Sequence, residues 1–167
     1  MQLFEFNQAS TEDAMIFLKH CVQIPSWSTE LVAKRPYASI EEVLTAANQQ
    51  AATWSWDEIK TALDNHPRIG EKQAQAELSE IEKDFSHHEQ SGIAADDDTR
   101  LALLKGNLAY EKKYGFIFLI KAAGLSSEAV LHALTSRLQN DPEIEKCIVH
   151  QQLAEIALSR LAQELHA

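Results

Sequence analysis

Glycine and proline are scarce in this chain, five and four among 167 residues. Tight turns draw on the free φ of glycine and the fixed φ of proline, so a fold of many short strands and turns is disfavoured. The two cysteines, Cys21 and Cys147, are too far apart for a metal or redox motif. Each falls in a helical pattern beside apolar neighbours, which predicts two buried free thiols. No apolar run approaches the length of a membrane span. The first residues lack the basic region and apolar run of a signal peptide, and Glu164-Leu165-His166-Ala167 is not a Ser-Lys-Leu type signal. A reducing cytoplasm is the expected setting. Basic charge is also short: 15 Lys and Arg against 25 Asp and Glu give a net charge of -10. That disfavours nucleic acid and anionic membrane surfaces as partners.

What the chain does have is helix signal. Ser10 with Asp13 opens a first helix, with Ile16, Phe17 and Cys21 as its apolar stripe. Trp27 to Arg35 reads as a short helix closed by Pro36. Ser39 with Glu42 and Ser55 with Glu58 are capping boxes, and the second helix they open stops before Pro67. A polar helix is expected from about Glu71 to Asp84, and another from Ser86. Asp96 to Thr99 caps a longer helix carrying Leu101, Leu104, Leu108 and Tyr110, ending near Gly115. Phe116 to Ile120 is a continuous apolar run; with no partner strand elsewhere, a buried helical segment is favoured. Ser126 or Ser127 starts a helix to Asn140, and Asp141-Pro142 opens a last one to about Leu165. The expected architecture is an all-α, single-domain bundle of eight or nine helices over residues 1–167.

Three places in this pattern carry chemistry. His66 ends a helix and precedes Pro67, which biases its backbone toward an extended conformation. An imidazole fixed at a helix end suits proton transfer, although a lone histidine there is ordinarily structural. Ser86-x-x-Glu89 is also a capping box. Gln90 is not required by a cap, and a helix starting at Ser86 would set Glu89 and Gln90 beside free N–H groups. Arg160 shares an inward face with Leu153 and Ile156, so its guanidinium needs a buried partner. That partner is a carboxylate such as Glu89, a helix-end carbonyl, or a ligand carboxylate or ureido oxygen. His87 and His88 point about 100° apart on a helix and cannot easily chelate one ion; with no HExxH spacing, no metal site is expected. No Gly-x-Ser-x-Gly elbow or glycine-rich phosphate loop appears. Trp27, Trp54 and Trp56 read as core or interface aromatics.

Six groups of residues, in order, make the chain recognisable. They are Trp27 with Arg35-Pro36-Tyr37; His66-Pro67-Arg68-Ile69-Gly70; Ser86-x-x-Glu89-Gln90; Asn107-x-x-Tyr110 with Tyr114-Gly115-Phe116-x-Phe118; Arg137-Leu138-x-Asn140; and Ile156-Ala157-x-x-Arg160-Leu161. Over nearly its whole length the chain resembles the decarboxylases of 2-oxo-4-hydroxy-4-carboxy-5-ureidoimidazoline (OHCU), which form (S)-allantoin from a urate-derived ring. The single departure noticed is Tyr114, where a Phe is common.

The resemblance implies an all-helical fold and no metal or organic cofactor. It implies His66 as the catalytic residue with Glu89 in support. Pro67, Ser86, Gln90 and Arg160 would contact the ring or ureido arm, and backbone amides of Phe118, Leu119 and Ile120 would complete the substrate site. Substrate OHCU and product allantoin are then the expected partners. Members of that family suggest a homodimer, and the sequence leaves the oligomeric state open. Two rivals stand beside this reading: a ring-opening hydrolase using His66 and Glu89 to activate water, and a helical binding module in which Ser86-Glu89 only caps and Arg160 only pairs.

Overall fold

A computed structural model describes residues 1–66 and 97–167. The described residues form eight helices: α1 (Leu3–Gln8), α2 (Thr11–Cys21), α3 (Pro25–Ala33), α4 (Ile40–Ala51), α5 (Trp56–Leu63), α6 (Asp97–Tyr114), α7 (Ser127–Arg137) and α8 (Pro142–Glu164). The only β pairing among them is an isolated bridge between Gln2 and His166. The all-α expectation holds. The helices expected over 71–84 and from Ser86 lie outside the described residues. No helix of the described residues is long and apolar enough to cross a membrane.

The caps explain most helix starts. Ser10 accepts from the Asp13 N–H, Ser39 from Glu42 and Ser126 from Ala129. At Ser55 the box is reciprocal: Glu58 N–H donates to Ser55 Oγ at 3.2 Å, and Ser55 N–H donates to Glu58 Oε2 at 2.8 Å. Each such cap satisfies a backbone donor that the helix itself leaves open. Glu58 also accepts from Ser26 Oγ, and these bonds hold its carboxyl below the usual range, the Ser26 bond most.

The chain divides into two compact units, one of residues 1–62 with 154–167, the other of residues 63–153. In the first, α2 packs on α3 and α3 on α4. Trp27 is fully buried; its indole N–H donates to the Ala47 carbonyl at 3.0 Å, and Trp54 meets it edge-on. The Arg35-Pro36-Tyr37 group is a structural corner. Arg35 Nη1 donates to the carbonyls of Phe6 and Ala9, Tyr37 Oη donates to Leu31, and Asn7 bonds both main-chain groups of Tyr37.

In the second unit α6 packs on α7. Gly106 permits the close approach: a Cβ there would lie 2.5 Å from Leu134 Cδ2. Leu134 is fully buried, so that side chain has little room to retreat.

Several local expectations are corrected. Helix α1 precedes the one opened by Ser10. Helix α3 begins at Pro25 rather than Trp27, with proline in its first turn, and α7 ends at Arg137 rather than Asn140. The buried stripe of α2 is Ala14, Leu18 and Cys21, and Ile16 is exposed. On α6 the buried positions are Leu103, Asn107 and Tyr110, whereas Leu101, Leu104 and Leu108 are 49%, 40% and 58% exposed. With both Leu103 and Leu104 apolar, periodicity alone chose the wrong face. Cys21 is buried, but Cys147 is exposed.

Candidate active site

The Phe116–Ile120 run is not helical. It is part of an irregular stretch between Gly115 and Gly124, whose φ angles of 82° and 80° suit glycine. Aromatic and β-branched residues over so short a span lose little by leaving the helix. Phe116, Phe118, Leu119 and Ala122 are buried, so the segment's main-chain groups need partners from elsewhere. Side chains supply two of them. Arg137 Nη1 donates to the Leu119 carbonyl at 2.6 Å, and Gln152 Oε1 accepts from the Lys121 N–H at 2.8 Å. Among the described residues, no hydrogen bond takes up the N–H groups of Phe118, Leu119 and Ile120. Main-chain donors on a fixed, partly buried segment can receive an oxyanion or carbonyl.

A cleft of about 330 Å³ opens at the start of this segment, lined by Leu63, Asp64, His66, Glu111, Gly115, Phe116 and Ile117. That volume suits a small ring-sized ligand. His66 is half-buried just beyond the end of α5, where its N–H donates to the Leu63 carbonyl at 2.9 Å. His66 thereby lines the cleft together with two acidic residues, Asp64 and Glu111. Neither carboxylate was singled out in the sequence. Glu111, followed by Lys112 and Lys113, reads as a solvated helix face.

Behind the segment lies a buried polar cluster that sequence reading also missed. Glu145 has no solvent exposure and accepts three hydrogen bonds: Arg137 Nε at 2.5 Å, Tyr110 Oη at 2.6 Å and Asn140 Nδ2 at 3.0 Å. A buried carboxylate is tolerable when its lone pairs and charge are met this fully. Burial first, then the bond to Glu145, push the Tyr110 hydroxyl above its ordinary range. The Arg137 guanidinium lies 4.4 Å from the Phe118 ring centroid. Tyr114, the departure from the common Phe, packs 4.5 Å from the Tyr110 ring, and its hydroxyl lies 2.7 Å from the Arg137 carbonyl and 2.6 Å from that of Asn140. The hydroxyl thus donates within a turn whose Arg137 carbonyl also accepts from the Asn140 N–H. The sequence did hold a signal for this cluster: Glu145 shares the i, i+4, i+8 stripe of Val149 and Leu153, the argument already applied to Arg160.

Arg160 lies in the other compact unit. It is buried on the apolar face with Leu153 and Ile156, as expected, and its Nη1 donates to the carbonyl of Cys21 at the end of α2, 3.1 Å away. A helix-end carbonyl was one of the three anticipated partners. A cation there also complements the negative end of the helix dipole. Beside it, burial pushes the Cys21 thiol up to about 12 against the lowering effect of Arg160. Pro67, Ser86, Glu89 and Gln90 fall outside the described residues, as do His87 and His88. Among the described residues no group of His, Cys, Asp and Glu could hold a metal ion.

A family profile described as OHCU decarboxylase matches residues 7–162. Among curated relatives, the chain is 28% identical over 149 residues to the uric acid degradation bifunctional protein TTL of Arabidopsis thaliana, covering 87% of this chain and 45% of that protein. It is 25% identical over 164 residues to the uric acid degradation bifunctional protein of Bacillus sp. (strain TB-90), covering 98% of this chain and 32% of the relative. The chain therefore spans less than half the length of these relatives. Among solved structures, an OHCU decarboxylase crystallised in the presence of (S)-allantoin superposes with a TM-score of 0.73 at 22% identity, covering 93% of this chain and 97% of that one. An (S)-allantoin synthase superposes with a TM-score of 0.70 at 19% identity, covering 99% of this chain and 54% of the other. These superpositions establish a shared fold.

Proposed function

Because the chain belongs to the OHCU decarboxylase family, we propose that it converts OHCU to (S)-allantoin and CO2 without a cofactor, with His66 as the proton-transfer residue. The observation that carries this reading is the cleft of about 330 Å³ with His66, Phe116 and Ile117 among its lining residues, within a chain matched by the family profile from residue 7 to 162.

The chemistry asks little beyond placement. The substrate bears a carboxylate and a hydroxyl on one ring carbon, next to a ring C=N bond. When the C–C bond to the carboxylate breaks, its electron pair moves toward that C=N, so the substrate supplies its own electron sink. The carbon that loses CO2 becomes a carbonyl as its hydroxyl gives up a proton, and the neighbouring carbon gains one on a single face. His66 takes the hydroxyl proton in this scheme. The N–H groups of Phe118, Leu119 and Ile120 receive charge that develops on ring oxygen or nitrogen, a role supported by their having no hydrogen-bond acceptor among the described residues. Glu89 supports His66 or orients the substrate, and Pro67, Ser86, Gln90 and Arg160 contact the ring or ureido arm, on the strength of the family resemblance.

The test uses freshly generated OHCU, followed by CO2 release and by the chirality of the allantoin formed. Stoichiometric CO2 and an excess of the S enantiomer over the protein-free reaction are expected. Ring opening without CO2 would favour a hydrolase. Stabilisation by allantoin with no turnover would favour a binding module.

A further inference from the structure

The cluster of Arg137, Glu145 and Tyr110 lies against the non-helical segment and is assigned no part in the proposed reaction. Two of its features tie it to that segment rather than to general packing. Arg137 spends one nitrogen on Glu145 and another on the Leu119 carbonyl, so a single guanidinium joins α8 to the middle of the segment. Its plane also lies near the Phe118 ring. The Arg137 side chain is buried, and Nη2 has no hydrogen-bond partner among the described residues. The two bonds to Glu145 and Leu119 therefore carry the polar satisfaction of a desolvated cation. Losing either would be costly, which makes the position of Leu119 stiff.

Fixing a peptide's carbonyl fixes the direction of the N–H in the same amide plane. The plane that holds the Leu119 carbonyl contains the Ile120 N–H, and the next anchor is the Lys121 N–H on Gln152. The Ile120 amide thus sits between two side-chain anchors. We propose that Arg137 is a positioning residue, held by Glu145 and Tyr110, which clamps the Leu119–Ile120 peptide so that its N–H faces the substrate. The proposal rests on the reading that the Phe118–Ile120 main chain meets the ligand. Arginine is required over lysine because only the planar fork reaches a carboxylate and a carbonyl from two nitrogens at once.

Arg137→Lys tests the clamp, with Tyr110→Phe as a milder second variant that keeps the ion pair and removes one bond to Glu145. Two readouts are taken: steady-state kinetics on OHCU, and amide hydrogen exchange resolved along the chain. In Arg137→Lys, kcat falls about 10- to 100-fold with a smaller change in KM, the scale of a slightly misplaced catalytic group. Exchange of the Lys121 N–H, which Gln152 holds, rises at least tenfold relative to α6 and α7, and Tyr110→Phe moves both readouts less in the same direction. Unchanged kcat and unchanged exchange in Arg137→Lys would overturn the proposal. A general rise in exchange, with kcat falling only in step with the folded fraction, would overturn it as well and leave Arg137 a fold-holding residue. Exchange at Lys121 that stays at the wild-type level in Tyr110→Phe would remove Tyr110 from the clamp. If the wild-type protein releases no CO2, the functional reading fails instead, and the exchange data alone decide whether the clamp exists.

Discussion

The Tyr110 hydroxyl donates to Glu145 at 2.6 Å with both residues fully buried, which joins α6 to α8 through a single proton. Replacing Tyr110 by Phe removes the donor and leaves one carboxylate lone pair unmet. The expected cost is about 1–3 kcal/mol, the range for stranding a buried acceptor. Urea unfolding of the variant measures it. No loss of stability would mean that Glu145 is satisfied without the tyrosine.

His66→Asn retains polarity and approximate size but removes the titratable ring. Turnover should fall roughly 10²- to 10⁴-fold, as for loss of a general acid–base group. The thermal midpoint should change little, because His66 lines a cleft rather than the core. Near-normal turnover by a folded variant would remove His66 from the mechanism and direct attention to Asp64 and Glu111.

The two thiols should differ sharply. At pH 8 an aromatic disulfide reagent is expected to modify exposed Cys147 in the native protein, and buried Cys21 only after denaturation. Burial raises the Cys21 thiol to about 12, and burial with the nearby charges of Glu42 and Glu30 raises Tyr37 to about 12. Raised values favour the folded state while both groups stay protonated. Their stabilising contribution is complete below the ordinary thiol and phenol values, and it is lost as pH rises through 12. Urea midpoints measured from pH 8 to 12 should therefore decline, with the thiol's share starting near pH 9 and disappearing in Cys21→Ala.

Chelation should leave turnover unchanged. The electron pair released with CO2 already has a sink in the substrate's C=N bond, so no Lewis acid is needed. Activity lost to a chelator and restored by zinc would contradict this.

What could be read from the sequence was what is encoded within four residues. Ser10, Ser39, Ser55 and Asp141-Pro142 announced their helices because a cap and its partner are near neighbours in the chain. Helix α1 escaped notice because no Ser, Thr, Asn or Asp stands before it, and its Leu3 N–H is held by the His166 carbonyl at the other end of the chain. The Phe116–Ile120 run was misread for a similar reason. Its conformation is set by Arg137 and Gln152, 18 and 31 residues beyond the groups they bind. In the site, His66 stood out through the proline that follows it. Main-chain donors carry no sequence signature of their own, and the resemblance alone pointed to Phe118, Leu119 and Ile120. Arg160 was legible as a polar residue on an apolar stripe; Glu145, on the same helix under the same rule, was passed over.

The 2.5 Å approach between a Cβ placed at residue 106 and Leu134 has a consequence for how this chain can change. Any larger residue at 106 calls for a smaller one at 134, so the two positions form a lock whose keys must be exchanged together. Tyr110 lies one helical turn beyond Gly106, and Arg137 lies three residues beyond Leu134. A mismatch in the lock therefore shifts the two helices at the point where they carry Tyr110 and Arg137. Compensation for a change at either position would therefore come from the opposite helix rather than from the cleft.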